Sequence, residues 1–172
     1  ATGYGIFKNG GIIKQYLESG ETAGVLALTS EGVLTAMRAC IDKQRADKLD
    51  TSEFFVSSNV MRQYKNILQD RTNSVAQVTM VDGKPEYYFE GYKINELRHV
   101  SAAAIADGEH DAFIAFTPKE NIQLALESNT DMRPFIQDAK DRNYYSQTVF
   151  AADAMLVVPE FMQLHLKATA GA

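Results

Sequence analysis

Four sets of side chains in this sequence are of the types that do chemistry. The stretch "DAFIAFTPKENIQLALE", residues 111–127, sets Lys119 beside Glu120 after an apolar run. Glu86, Glu90, Asp107, Glu109 and Asp111 could supply the paired carboxylates of a small hydrolase. Cys40 could be a nucleophile if a histidine reached it, and His99, His110 and His165 are the candidates. Tyr87, Tyr88 and Tyr92, with Phe89 among them, could stack on bases or anchor a protein partner.

Spacing weighs against most of these. The five carboxylates keep no fixed pairing interval, and acids near turns are ordinarily solvated. The histidines are scattered with respect to Cys40, which sits among Val33, Leu34, Met37 and Ile41 on one helix face and so reads as a small buried hydrophobe. The same scatter offers no zinc set, because zinc takes three or four ligands at recognisable intervals. No catalytic, cofactor or metal site is expected. Glu86 and Glu90 would repel phosphates beside the tyrosines, so Tyr87, Tyr88 and Tyr92 are expected on a sheet face or at a subunit contact.

The turn at Thr117 reads as a joint in the backbone. Thr117 ends a strand, Pro118 suits a first helical residue that needs no N–H, and Glu120 follows Thr117 by the three residues of a capping box. Its carboxylate would then reach back to the Thr117 N–H. Catalysis by Glu120 would need a second acid or a cause for a raised pKa, and nothing local supplies either. Ser57 and Ser58 are expected to cap a helix in the same way.

The elements that would position these residues follow from periodicity. "ATGYGIFKNGG" is glycine-rich and suits turns or an arm, so residues 1–28 are expected as an N-terminal arm or linker remnant. Thr29 or Ser30 can cap a helix that continues into the charged stretch "DKQRADKLD", giving a helix over 30–48. "EFFVS" is a buried strand. Val60, Met61, Tyr64, Ile67 and Leu68 mark an amphipathic helix over 58–71. "VAQVTMV", Asp82–Gly83 and "PEYYFEGYKINEL" form a hairpin, "DAFIAFT" is a strand, and the unbroken "AMLVV" suggests a central strand covered on both faces. The fold class is α+β, with two or three helices on a mainly antiparallel sheet.

The bulk properties bound the partners. At 172 residues one hydrophobic core suffices, without disulfide or metal staples. Seventeen basic against 22 acidic residues give a net charge of -5, which opposes a tight grip on nucleic acid. No apolar run approaches the roughly 18 residues of a membrane span, so no membrane partner is expected.

Taken in order, "EFFVSSNVMRQYKNILQDR", "YFEGYKINEL", "DAFIAFTPKENIQLALE" and "AMLVVPEFMQLHL" resemble the major capsid proteins of tailed bacteriophages, particularly those of Bacteroides-type phages and prophages. The matching positions are Ser57 and Tyr64, then Gly91, Tyr92, Lys93 and Ile94, then Thr117 to Ile122, and Pro159, Glu160 and Phe161. The resemblance covers residues 30–167, and the ordered company of the motifs carries it. It implies the HK97-like capsid fold, with a core over 29–172 in which peripheral-domain helices lie on a sheet and an axial-domain insertion occupies about 75–155. It also implies a shell subunit assembling with copies of itself into hexamers and pentamers. Portal and scaffold proteins would be neighbours, packaged double-stranded DNA would be touched nonspecifically, and the protein would reside in the virion capsid after assembly in the bacterial cytoplasm. The family carries an N-terminal arm and a projecting loop for which residues 1–28 are too few, so the chain is expected to be a fragment or a reduced relative. An encapsulin-like compartment protein shares the fold and is the alternative within this class; the carboxylate hydrolase is the alternative outside it.

Overall fold

The apolar spacing of the chain resolves into short helices and a broad sheet. A computed structural model describes residues 12–69, 76–98, 112–126, 131–132, 136–137, 144–145, 148–149 and 152–167. In chain order the elements begin with α1 (Ile12–Glu18), β1 (Gly24–Leu26), α2 (Ser30–Lys43), a 3-10 turn (Ala46–Thr51), β2 (Ser52–Val56) and α3 (Ser58–Gln69). Strands β3 (Ala76–Val81), β4 (Lys84–Phe89), β5 (Tyr92–Glu96) and β6 (Phe113–Pro118) follow, then a 3-10 turn (Lys119–Asn121) and β7 (Ile122–Leu126). Four two-residue strands come next: β8 (Asp131–Met132), β9 (Ile136–Gln137), β10 (Tyr144–Tyr145) and β11 (Thr148–Val149). The chain closes with β12 (Ala152–Leu156), a 3-10 turn (Pro159–Phe161) and β13 (Gln163–Lys167).

Seven strands form the main sheet in the order β1-β13-β6-β2-β5-β4-β3, and β12 pairs with β7 in a separate antiparallel ladder. Within the main sheet β1–β13 and β2–β5 are parallel and the other four pairings antiparallel. The molecule is therefore α+β with a mainly sheet core. Strands β3 to β6, which fall inside the stretch expected as an insertion, belong to the same sheet as β2 and β13.

Alternation along the strands sends side chains to two cores. Phe54, Val56, Phe89, Ile94, Ile114 and Phe116 pack beneath α2 and α3, with Tyr64 and Met37 from the helices. Phe113, Ala115, Leu164 and Leu166 face the other way, under Tyr16 of α1 and Leu156. Every residue of β6 is buried, so "FIAFTP" is the strand covered on both faces.

The expectation that "AMLVV" fills that place is corrected. Met155 and Val157 are exposed, because β12 pairs with β7 outside the main sheet. Residues 12–28 also differ from a free arm: Ile12 and Tyr16 are buried, and β1 pairs with β13. Residues 1–11 lie outside the described residues.

Helix α2 starts as expected, with Thr29 Oγ1 accepting the Gly32 N–H at 3.1 Å. It stops at Lys43, short of the expected 48, because Gln44 turns inward. Its buried side-chain amide donates to Ser52 Oγ and to the Phe161 carbonyl, both at 3.0 Å. The hairpin at Asp82–Gly83 forms with both residues in the left-handed region, φ 50° and 74°. A second turn of the same kind at Glu90–Gly91, φ 50° and 89°, splits the expected return strand into β4 and β5.

Candidate functional site

The joint after β6 is real, but other residues hold it. The 3-10 turn Lys119–Asn121 has no side-chain cap; Glu120 is exposed, and Pro118 ends the strand instead of opening an α-helix. The capping box predicted from Thr117 and Glu120 is thus corrected. Asn121 does the work: its Nδ2 donates to Thr117 Oγ1 and to the Val158 carbonyl, both at 2.9 Å. Its Oδ1 accepts the Val158 N–H at 2.7 Å, and its own carbonyl accepts the Val157 N–H at 3.0 Å. A capping template fitted to Thr117 and Glu120 overlooks Asn121, because the chain it binds lies 37 positions away.

Ser57 and Ser58 are also redirected. The Ser57 carbonyl accepts the Met61 N–H at 3.0 Å as a helix-start residue should, but Ser57 Oγ accepts the Phe113 N–H at 3.3 Å. Ser58 Oγ donates to Glu96 Oε1 at 2.9 Å. These hydroxyls fix α3 to the sheet.

Cys40 and one histidine do meet. The α2 face carries Cys40 down onto β13, where Sγ lies 3.2 Å from His165 Nδ1, and both residues are buried. The pairing spans 125 positions, so sequence spacing could not show it. Gly24 on β1 makes room for the ring, since a Cβ there would sit 2.3 Å from it. Burial pushes the Cys40 thiol up to about 12. Burial, with Lys43 nearby, holds His165 below its ordinary range. Both shifts favour neutral forms, the reverse of the thiolate–imidazolium pair that a cysteine nucleophile requires. His99 and His110 lie outside the described residues.

The depressed His165 value makes stability depend on pH. Above the unfolded value of about 6.5 both states are neutral and the contribution is complete. As pH falls below that, the unfolded chain takes up a proton that the folded chain resists, and stability is lost down to the folded value. Urea midpoints measured between about pH 7.5 and 5 are expected to fall with pH, and to fall less in His165→Met, which cannot take the proton. Equal pH slopes in the two proteins would refute this.

The sheet face opposite α2 and α3 carries an ionic network at β2, β4 and β5. Lys93 Nζ lies 2.5 Å from Glu86 Oε1, and Tyr88 donates to Glu86 Oε2 at 2.7 Å. Lys119 pairs with Glu53 at 2.8 Å, and Asn95 donates to the same carboxylate at 2.8 Å. The bond from Lys93, then that from Tyr88, holds the Glu86 carboxyl below its usual range, and the Glu86 bond raises Lys93. Each shift stabilises the charged form, whereas a general acid or base working near neutrality needs the opposite. Glu90 is turned away to Arg38 at 3.2 Å. Asp107, Glu109 and Asp111 lie outside the described residues.

The three tyrosines are divided. Tyr87 and Tyr92 pack against the helix-side core, Tyr92 with its ring 5.2 Å from that of Phe116. Tyr88 alone takes the ionic face. An open groove of about 470 Å³ runs past Met61, Lys65, Lys84, Pro85, Tyr87 and Arg98. Among the described residues no group of three or more His, Cys, Asp or Glu could hold a metal ion, and no helix is long and apolar enough to cross a membrane.

The surface feature that stands apart is apolar. Val25 on β1 is 76% exposed, and Val78, Met80 and Val81 on β3 are 52%, 66% and 42% exposed. These strands are the two ends of the seven-stranded sheet. Met155 and Val157 add a third exposed group at the β12 corner. No protein-family model matches the chain, and no curated protein matches it either.

Proposed function

We propose that this protein is a structural shell subunit of the tailed-phage major capsid type, built on the HK97-like fold and working by contact with copies of itself. The observation that supports the reading best is the placement of exposed apolar side chains at opposite ends of one sheet, with a third group at the β12 corner. A tile needs contact surfaces pointing in more than one direction, and isolated apolar side chains become significant when they cluster at an edge. The ordered sequence motifs add to it. The buried side chains of Asn121, Ser57 and Gln44 are engaged in holding the chain's own backbone.

In such a shell each contact can be weak, because closure makes later contacts effectively intramolecular. The net charge of -5 suits an inner wall that does not grip packaged DNA. The test is electron microscopy of the complete gene product expressed alone. Closed isometric particles are expected. A product that stays monomeric up to about 1 mM would overturn the proposal. Particles filled with a specific protein cargo would favour the encapsulin-like alternative.

A further inference from the structure

The β3 edge has unusual chemistry for an unpaired strand. Among the described residues β3 pairs only with β4, and its sequence, "AQVTMV", carries no charge and no proline. Natural edge strands ordinarily carry such devices to prevent pairing with another chain.

The register of the hairpin determines which groups face outward. A two-residue turn at Asp82–Gly83 closes on the pair Val81–Lys84, which exchanges the narrow hydrogen bonds. Alternation then directs the N–H and C=O of Val81, Thr79 and Gln77 to β4. Those of Val78 and Met80 point to the open edge. These two residues are also more exposed, at 52% and 66%, than Val81 at 42%.

We infer that β3 pairs antiparallel with β3 of a second copy about a two-fold axis at Thr79. In this register Val78 faces Met80 of the other copy and Met80 faces its Val78, which makes two hydrogen-bonded pairs and four inter-strand bonds. The four apolar side chains come together on one face of the joined sheet. Asp82 falls opposite Ala76, so no like charges meet. Shifting the axis to Met80 would set Val78 against Asp82, and shifting it to Val78 would leave Met80 against Ala76. Only the Thr79 register gives both Val78 and Met80 a large apolar partner. A second copy fits better than a charged peptide because β3 itself carries no charge, while Val78 and Met80 complement one another across the two-fold axis.

This two-fold contact does not depend on the shell reading. A dimer that needs Val78 while no particles form would retain the contact and end the shell proposal. Particles that form without it would do the reverse.

Sedimentation of the protein up to about 1 mM, joined with amide hydrogen exchange, tests the contact. A reversible dimer is expected, with the Val78 and Met80 amides gaining protection as concentration rises. Val78→Pro removes an outward N–H and leaves the bonds to β4 in place, and Met80→Lys puts like charges into the joined face. Each should weaken dimerisation by roughly tenfold or more while the thermal melt at low concentration is unchanged. A chain monomeric throughout, or a dimer that both substitutions leave unaltered, would overturn the inference.

Discussion

Phe54→Ala is expected to destabilise the protein by about 3–5 kcal/mol, the range for emptying the space of a fully buried phenylalanine. Phe54 has no exposed surface and sits in the middle of β2, with β6 on one side and β5 on the other. Its ring lies 4.4 Å from Phe116, 6.0 Å from Phe89 and 6.4 Å from Tyr92. Three of its ring neighbours therefore come from three different strands, and one truncation loosens β4, β5 and β6 together. For a domain whose whole stability is about 5–15 kcal/mol, that loss is a large fraction. Urea unfolding at neutral pH measures it. Phe55→Ala is the control, because Phe55 points to the other face and is only partly buried, and it should cost distinctly less. A Phe54→Ala loss under about 1 kcal/mol would mean that the ring cluster is not the centre of the fold. Phe116→Ala should cost a similar amount, and the double variant less than the sum, since both rings share one cavity.

The parts of this architecture that sequence reveals are those governed by local spacing. Val60, Met61, Tyr64 and Ile67 recur at helical intervals, and all four are buried in α3. The Asp82–Gly83 hairpin depends on two adjacent residues that tolerate positive φ, so it too is local. The turn at Glu90–Gly91 escapes because it lies inside a run of β-formers and puts a glutamate in the left-handed region. The end of α2 escapes for a different reason. The charged stretch after Lys43 is an acceptable helix by propensity, and Gln44 leaves it for partners at Ser52 and Phe161 that only the tertiary fold supplies. "AMLVV" and "FIAFTP" are both nearly unbroken apolar runs; which one becomes doubly covered is set by strand order, a property of the whole sheet. Among the candidate site residues, Cys40 was readable as buried from its helix face. Its meeting with His165 was not, because it requires α2 to cross β13.

The joint at Thr117 separates a local reading from a tertiary one, and two substitutions decide between them. If Glu120 closed a capping box, Glu120→Ala would cost about 1 kcal/mol. With Glu120 exposed and the turn uncapped by any side chain, the expected cost is within about 0.5 kcal/mol. Asn121→Leu is expected to cost about 3 kcal/mol, although leucine keeps asparagine's branching at Cγ and adds apolar bulk. Asn121 is 4% exposed and Thr117 fully buried, so the substitution strands the Thr117 hydroxyl together with the Val158 N–H and carbonyl. Each buried polar group left without its partner costs about 1–3 kcal/mol. Asn121→Asp probes the same clasp by charge: it keeps the acceptor for the Val158 N–H but turns a carboxylate toward the Val158 carbonyl. Its loss should shrink as pH falls through the aspartate range and the carboxyl becomes a donor again. Urea midpoints for the three variants check the order, and a Glu120→Ala cost equal to that of Asn121→Leu would restore the capping reading. Under the shell function proposed above, the clasp would also bear on assembly. Asn121 holds the corner on which exposed Met155 and Val157 stand, so on that proposal Asn121→Leu should impair particle formation at temperatures where the domain is still folded.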